Sequence, residues 1–289
     1  MAAYRSIGTT AIATRDGAAW SVTITKPSGL TAGDYMVAII GTSSGNAVEA
    51  ISGWTLLGEQ ANGGDARLIV YGKTADSSDA SASDFTFAVH TGNGSSNDGM
   101  GGALIAISGT QPLTNGAFID FGTSNGTNHT YTGGITPTVA NSILIMAMWG
   151  HGSTPATVSN YAITTDNPTW TERFDDAEAV GTSDYLFAVA TAPRTEVTAT
   201  GNFTLDSTQS YDTAGVLLAV LEAQNVTASP AVITMTATVQ GPSVSGGATV
   251  STTVITMTAT VQAPTVTTSL PTWSNTDKSS SSWTNLDKS

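Results

Sequence analysis

Gly33-Asp34-Tyr35-Met36-Val37-Ala38-Ile39-Ile40 is the stretch on which the reading of the fold turns. It is an apolar run rich in strand-forming residues, entered through a Gly-Asp turn, and it does not alternate with polar positions. A strand of this kind needs both faces covered, as in the middle of a sandwich. Outward from it come Gly53-Trp54-Thr55, then strands at 67–73, 84–89 and 101–108. The same series returns later. An apolar run at 141–148 leads to Thr169-Trp170-Thr171, then to strands at 184–191, 202–205 and 215–221. The lead-in also recurs. Strands at 6–14 and 18–25, joined by Arg15-Asp16-Gly17 with its hairpin-type Asp-Gly pair, match strands near 117–123 and 129–132. A unit of about one hundred residues is therefore run twice.

The composition agrees with a β protein. Of 289 residues, 40% are hydrophobic and only 11% charged, and Ser, Thr, Gly and Asn make up the difference. Exposed helix faces normally carry Glu, Lys and Arg, whereas Thr-rich polar faces suit strands. The expected fold is all-β: two tandem jelly-roll-like β-sandwiches at 1–110 and 111–223, followed by an extended β-strand tail at 224–289. One larger sandwich built from the two half-sequences is the alternative.

A net charge of −13, with nine basic residues spread along the chain, argues against nucleic acid and anionic membrane as partners. There is no cysteine, so neither disulfides nor thiolate metal sites can support the fold. The N-terminus lacks the basic and apolar regions of a secretory signal, and no segment approaches the ~20 apolar residues of a membrane helix. A strand-rich, Ser/Thr-rich chain without an export signal suits a particle assembled in a cytoplasm and released by lysis; a mature chain whose signal has been removed suits the pattern equally.

The tail has its own repeats. Val-Ile-Thr-Met-Thr-Ala-Thr-Val-Gln at 232–240 recurs unchanged at 254–262, each copy followed by a proline two residues on. Each alternates strictly, placing Ile233, Met235 and Val239, and again Ile255, Met257 and Val261, on one face opposite threonines. Strands with one apolar face and no domain of their own need a partner to pair with. Trp273-Ser-Asn-Thr-Asp-Lys-Ser is followed by Trp283-Thr-Asn-Leu-Asp-Lys-Ser. In an extended chain the two indoles project from one side, ~33 Å apart, as docking anchors.

Candidate chemistry is sparse. Gly41-Thr42-Ser43-Ser44-Gly45 matches a nucleophile-elbow pattern after a strand, but no helix follows, so Ser43 reads as a turn residue. His90, His129 and His151 lack metal or triad spacing and read as loop histidines. Asp175-Asp176-Ala177-Glu178 offers oxygen ligands or a carboxylate pair but lacks the Asp/Gly alternation of a calcium loop, and reads as a solvated turn. Neither a catalytic residue, a metal site nor a cofactor is expected. Trp54 and Trp170 hold equivalent places and read as plugs between sheets. Trp149, His151 and Tyr161, near glycines at a strand end, are the candidate platform for stacking on a sugar. Asn125-Gly-Thr and Asn202-Phe-Thr match the glycosylation pattern by composition alone.

Pro27-Ser-Gly, Ala32-Gly33-Asp34 with its apolar run, Gly53-Trp54-Thr55, Arg67-Leu-Ile-Val-Tyr71, Phe85-Thr-Phe87 and Gly102-Ala-Leu-Ile-Ala106 together resemble β-sandwich modules of tailed-bacteriophage virion proteins. The repeated Trp-x-Asn-x-Asp-Lys-Ser is similar to C-terminal repeats of phage structural proteins. The resemblance implies a non-enzymatic virion protein, of tail, fibre or appendage type, whose partners are other virion proteins and copies of itself, with a host-surface glycan as ligand. Capsid decoration and a carbohydrate-binding module of a surface protein are the alternatives. The second copy departs from the first at Asn141, in place of the Gly-Asp turn, and at Thr169, in place of the glycine before tryptophan.

Overall fold

The computed structural model describes residues 2–14, 19–43, 50–64, 66–91, 98–113 and 118–223, which are almost entirely β-strand and belong to one compact unit, Met1–Gln224. The first half forms β1 (Ala3–Thr14), β2 (Ala19–Thr25), β3 (Tyr35–Thr42), β4 (Thr55–Asn62), β5 (Ala66–Thr74), β6 (Asp84–Thr91) and β7 (Gly99–Ser108). Between β5 and β6 lies one helical turn, α1 (Ser77–Ser81), which the strand pattern does not foretell. Its capping box explains it: the Asp76 carboxylate accepts from the N–H groups of Ser78 and Asp79, and the Asp79 side chain accepts from Asp76 N–H. The second half forms β8 (Ile119–Tyr131), β9 (Ser142–Gly152), β10 (Val158–Ile163), β11 (Thr171–Val180), β12 (Ser183–Arg194) and β13 (Phe203–Val220).

Both halves follow one plan. The first large sheet runs β1-β7-β3-β5-β4, and the second has β8 and β13 where the first has β1 and β7, continuing β13-β9-β12-β11. In the first half β1 pairs β7 and the separate strand β2 pairs β6. In the second, β8 and β13 each do both jobs. Their ladder runs from Ile119↔Leu218 to Gly126↔Tyr211, jumps at the bend, and resumes at Asn128↔Asp206 to Tyr131↔Phe203. Pairing is nested in each half, outermost strands together and innermost together, in the manner of a jelly roll. β10 is an addition of the second half, laid against the first part of β13.

The continuous apolar runs are explained by what covers them. Every residue of β3 is buried. Tyr35, Val37 and Ile39 face the second sheet, where they meet a core that includes Ile143, Ile145 and Ala147 of β9 and Val216, Leu218 and Val220 of β13. Met36, Ala38 and Ile40 face the other way, onto Val22, Ile24 and Phe87 of the β2–β6 pair. β9 repeats the arrangement: Leu144, Met146 and Met148 turn away from the shared core toward Tyr131, Phe203 and Leu205. The body is thus four layers, with the two large sheets in the middle and a smaller layer outside each. At ~1.5–3 kcal/mol for each large side chain fully buried, a strand covered on both faces gains about twice what a half-exposed one does.

The departure at Asn141 has a conformational reason. Gly33 enters β3 at φ 92° and Asn141 enters β9 at φ 59°, so both copies need the left-handed region, which asparagine tolerates better than other non-glycine residues.

Candidate functional site

The strongest gathering of polar chemistry at the surface lies on the outer side of the second half, where β10 and β11 approach. β11 carries a register shift between Glu172 and Phe174. The extra residue puts Glu172 and Asp175 on the same outward face, with Ala177 beside the outer core, while Phe174 points into the shared core. Tyr161 of β10 reaches Glu172, its hydroxyl donating to Oε2 at 3.4 Å. Burial pushes the Asp175 carboxyl up to about 6, and the Glu172 and Asp176 charges add to this, against the opposing bond from Val158 N–H. Asp175 therefore keeps its proton to higher pH than an ordinary carboxyl. Burial, with the Glu172 and Asp175 carboxylates beside it, raises the Tyr161 phenol. Among the described residues no three His, Cys, Asp or Glu side chains are grouped to hold a metal ion.

These carboxylates are largely committed to backbone. Asp175 Oδ2 accepts from Val158 N at 2.9 Å, and Asp176 Oδ2 accepts from Ile12 N at 3.1 Å. Asn167 Oδ1 accepts from Ile163 N at 3.0 Å and from the Trp170 indole at 3.0 Å. Val158 and Ile163 lie on β10, and Ile12 on β1, all at the margins of their sheets. Side chains thus cap N–H groups that could otherwise template another strand. Where β1 and β11 meet, Arg173 also lies over the Tyr4 ring at 3.8 Å. Across the other flank, Asn62 of β4 donates to Ser124 O at 3.3 Å and Thr213 O at 3.2 Å. The acidic group is therefore a strand with edge-capping duties, which corrects the expectation of a solvated turn.

The expected sugar platform is not assembled. Trp149 is fully buried in the core shared by the two halves, stacked on Tyr185 at 5.4 Å and edge-on to Phe187 at 5.9 Å. Its ring has no face open to solvent, which corrects its nomination as an exposed platform. The room for it comes from across the core: a Cβ on Gly41 would lie 2.0 Å from its Cε3, and one on Gly101 would lie 3.2 Å from its Cζ3. His151, two residues on, is partly exposed with its ring 5.2 Å from Tyr185, and Tyr161 packs against the outer core on the opposite side of the sheet. The three do not share a surface.

Ser43 is buried just after β3, and its hydroxyl has no partner among the described residues. Trp54 and Trp170 are half-buried seals rather than plugs between the large sheets. Trp54 packs on Phe87 at 4.9 Å in the first outer layer, and Trp170 rests against the second. His129 is not in a loop but wholly buried on β8, a placement that the sequence reading missed. The His90 side chain and the docking residues Ile233, Met235, Val239, Ile255, Met257, Val261, Trp273 and Trp283 lie outside the described residues.

The body has two distinguishable ends. At one, β1, β3 and β9 begin and β7 and β13 finish; there Ala223 N donates to Gly109 O at 2.9 Å and Gln111 N to Leu221 O at 3.1 Å. At the other lie Gly41, Gly99, Trp149 and Tyr185. Ala223, the last described residue, lies on the end where β1 begins. Compared with protein-family models, with curated proteins and with solved structures, the chain matches none.

Proposed function

We propose that the chain is a non-enzymatic structural protein of a tailed-phage virion, of tail or fibre type, which docks through residues 224–289 and presents its β body outward to the host surface. The observation that carries this reading is the tail's verbatim sequence repeat: two nine-residue segments in which apolar residues alternate with threonine, followed by two segments that each begin with tryptophan. The body supports it in a complementary way. Three edge N–H groups, of Ile12 on β1 and of Val158 and Ile163 on β10, are capped by Asp176, Asp175 and Asn167, which makes those edges less available for strand pairing than the tail.

The test is immunogold labelling of particles released by lysis, with an antibody raised against residues 2–223. Label on the tail or its fibres is the expected result. Label over the head would replace the reading with capsid decoration, and protein present only in the particle-free fraction would overturn both.

A further inference from the structure

The two halves solve the same packing problem in different ways at one place. Where the outer layer folds over the large sheet, both halves carry a glycine: a Cβ on Gly102 would lie 2.8 Å from Ile24, and one on Gly215 would lie 2.5 Å from the Tyr131 ring. The ladders bring the surrounding positions into correspondence. Val22 pairs with Phe87 as His129 pairs with Leu205, and Ile24 with Phe85 as Tyr131 with Phe203. Two residues before each glycine stand Met100 and Thr213. The first half thus fills the space with Val22 and Met100, and the second with His129 and Thr213, all buried.

The polar set is fully connected. Ser207 Oγ donates to Gln209 O at 2.5 Å, which leaves it to accept from His129 Nε2 at 2.9 Å. This arrangement places a proton on Nε2, and in the neutral form that burial favours the lone pair sits on Nδ1, 3.2 Å from Thr213 Oγ1. Tyr131 OH donates to Thr213 at 2.8 Å, and Thr213 can direct its own proton to Nδ1 or to Ser124 O at 2.9 Å. The network spans the bend of β13, where the ladder with β8 jumps between Asp206 and Tyr211.

We propose that His129, Thr213, Tyr131 and Ser207 form a proton-sensitive clasp that holds the outer layer of the second half against its sheet, and that protonation of the buried His129 weakens it by favouring the opened layer. A second proton on the ring would have to sit on Nδ1. Thr213 could accept that N–H by turning its proton to Ser124, so the hydrogen bonds survive, but the charge stays wholly buried, beside the Tyr131 ring 6.4 Å away and opposite Leu205 in the ladder. Facing the ring are Tyr131 and Ser124 of β8, Asp206 and Ser207 before the bend, and Thr213 after it. Asp206 is the carboxylate that acts on the imidazole, and it is engaged by Asn160 Nδ2 at 2.9 Å. Burial lowers the imidazole pKa to about 4 despite the upward pull of Asp206. The opened layer returns His129 to the ordinary value of 6.5, so its opening constant rises about 20-fold between pH 7 and pH 5. The first half, with Val22 in the same place, has no such response there.

Hydrogen exchange of the full chain at pH 7 and pH 5, corrected for intrinsic rates, tests this with wild type and His129→Gln. The ratio of wild-type to variant opening at 128–131 and 203–207 is expected to rise about 20-fold, with no change of ratio at 22–25 and 85–88. A ratio constant within about twofold, or an equal rise in the first half, overturns the proposal. Should the variant fail to fold, the wild-type His129 ring resonance decides: titration near 4 upholds the clasp and titration near 6.5 overturns it.

Discussion

Replacing Gly41 by alanine should destabilise the body through a single contact that a second mutation removes. An ideal Cβ at Gly41 lies 2.0, 2.2 and 2.7 Å from Cε3, Cδ2 and Cγ of Trp149, against the ~3.5–4.0 Å at which carbon atoms rest. The indole has little room to retreat, because Tyr185 is stacked on it and Phe187 meets it edge-on. Overpacking of this degree costs ~3 kcal/mol, the upper part of the usual range. Trp149→Ala should cost ~3–5 kcal/mol, mainly through lost burial and the cavity left behind. In that cavity the methyl of Gly41→Ala is freed of its three nearest contacts, and alanine loses less conformational entropy on folding than glycine, so there the substitution should be neutral or stabilising by ~0.5 kcal/mol. The coupling energy is then about 3 kcal/mol, read from denaturant unfolding of the two single variants, the double variant and the wild type. Additivity within ~0.5 kcal/mol would refute the claim that Trp149 of one half is seated on Gly41 of the other.

Two further outcomes follow from the edge carboxylates. The folded pKa of Asp175 is raised from 3.8 to about 6, so the native state binds the extra proton, and the ionised carboxylate burdens stability as pH rises through 6. Asp175→Asn keeps an oxygen for Val158 N–H and removes the charge. The shift is worth ~3 kcal/mol at full weight and roughly 1 kcal/mol after allowing for the solvent around this half-exposed group. The variant should therefore melt higher than wild type at pH 7.5, with the gap closing toward pH 4; a gap independent of pH would contradict the assignment. Asp176→Ala uncaps Ile12 N–H and should cost ~1 kcal/mol, with faster amide exchange confined to the end of β1. Unchanged exchange there would show that the cap does not hold that edge.

Much of the architecture was legible because it rests on local pattern. The unbroken runs at Tyr35–Thr42 and in β9 announce strands covered on both faces, and the copied order of segments reappears as two sheets with one strand order. Asn141 could be read as a replacement for Gly33 because the left-handed turn is a property of single residues. Trp149 was misread for the opposite reason. Gly150 and Gly152 beside it suggest an open rim, while the glycines that make room for it, Gly41 and Gly101, lie more than forty residues away across a core that no local pattern reveals. The carboxylates of β11 looked like a turn because their purpose, capping N–H groups on β1 and β10, is visible only once the margins are placed. His129 was hidden by its polarity, yet a signal was present. It shares the inward alternation of Tyr131, and the matching strand of the first copy has Val22 and Ile24 at those positions.

The most direct measurement of the functional account is removal of residues 225–289, with native particles as the readout. The account predicts a soluble body with an unchanged melting transition that is lost from purified particles carrying the truncated gene. Truncated protein incorporated at the wild-type level would contradict it.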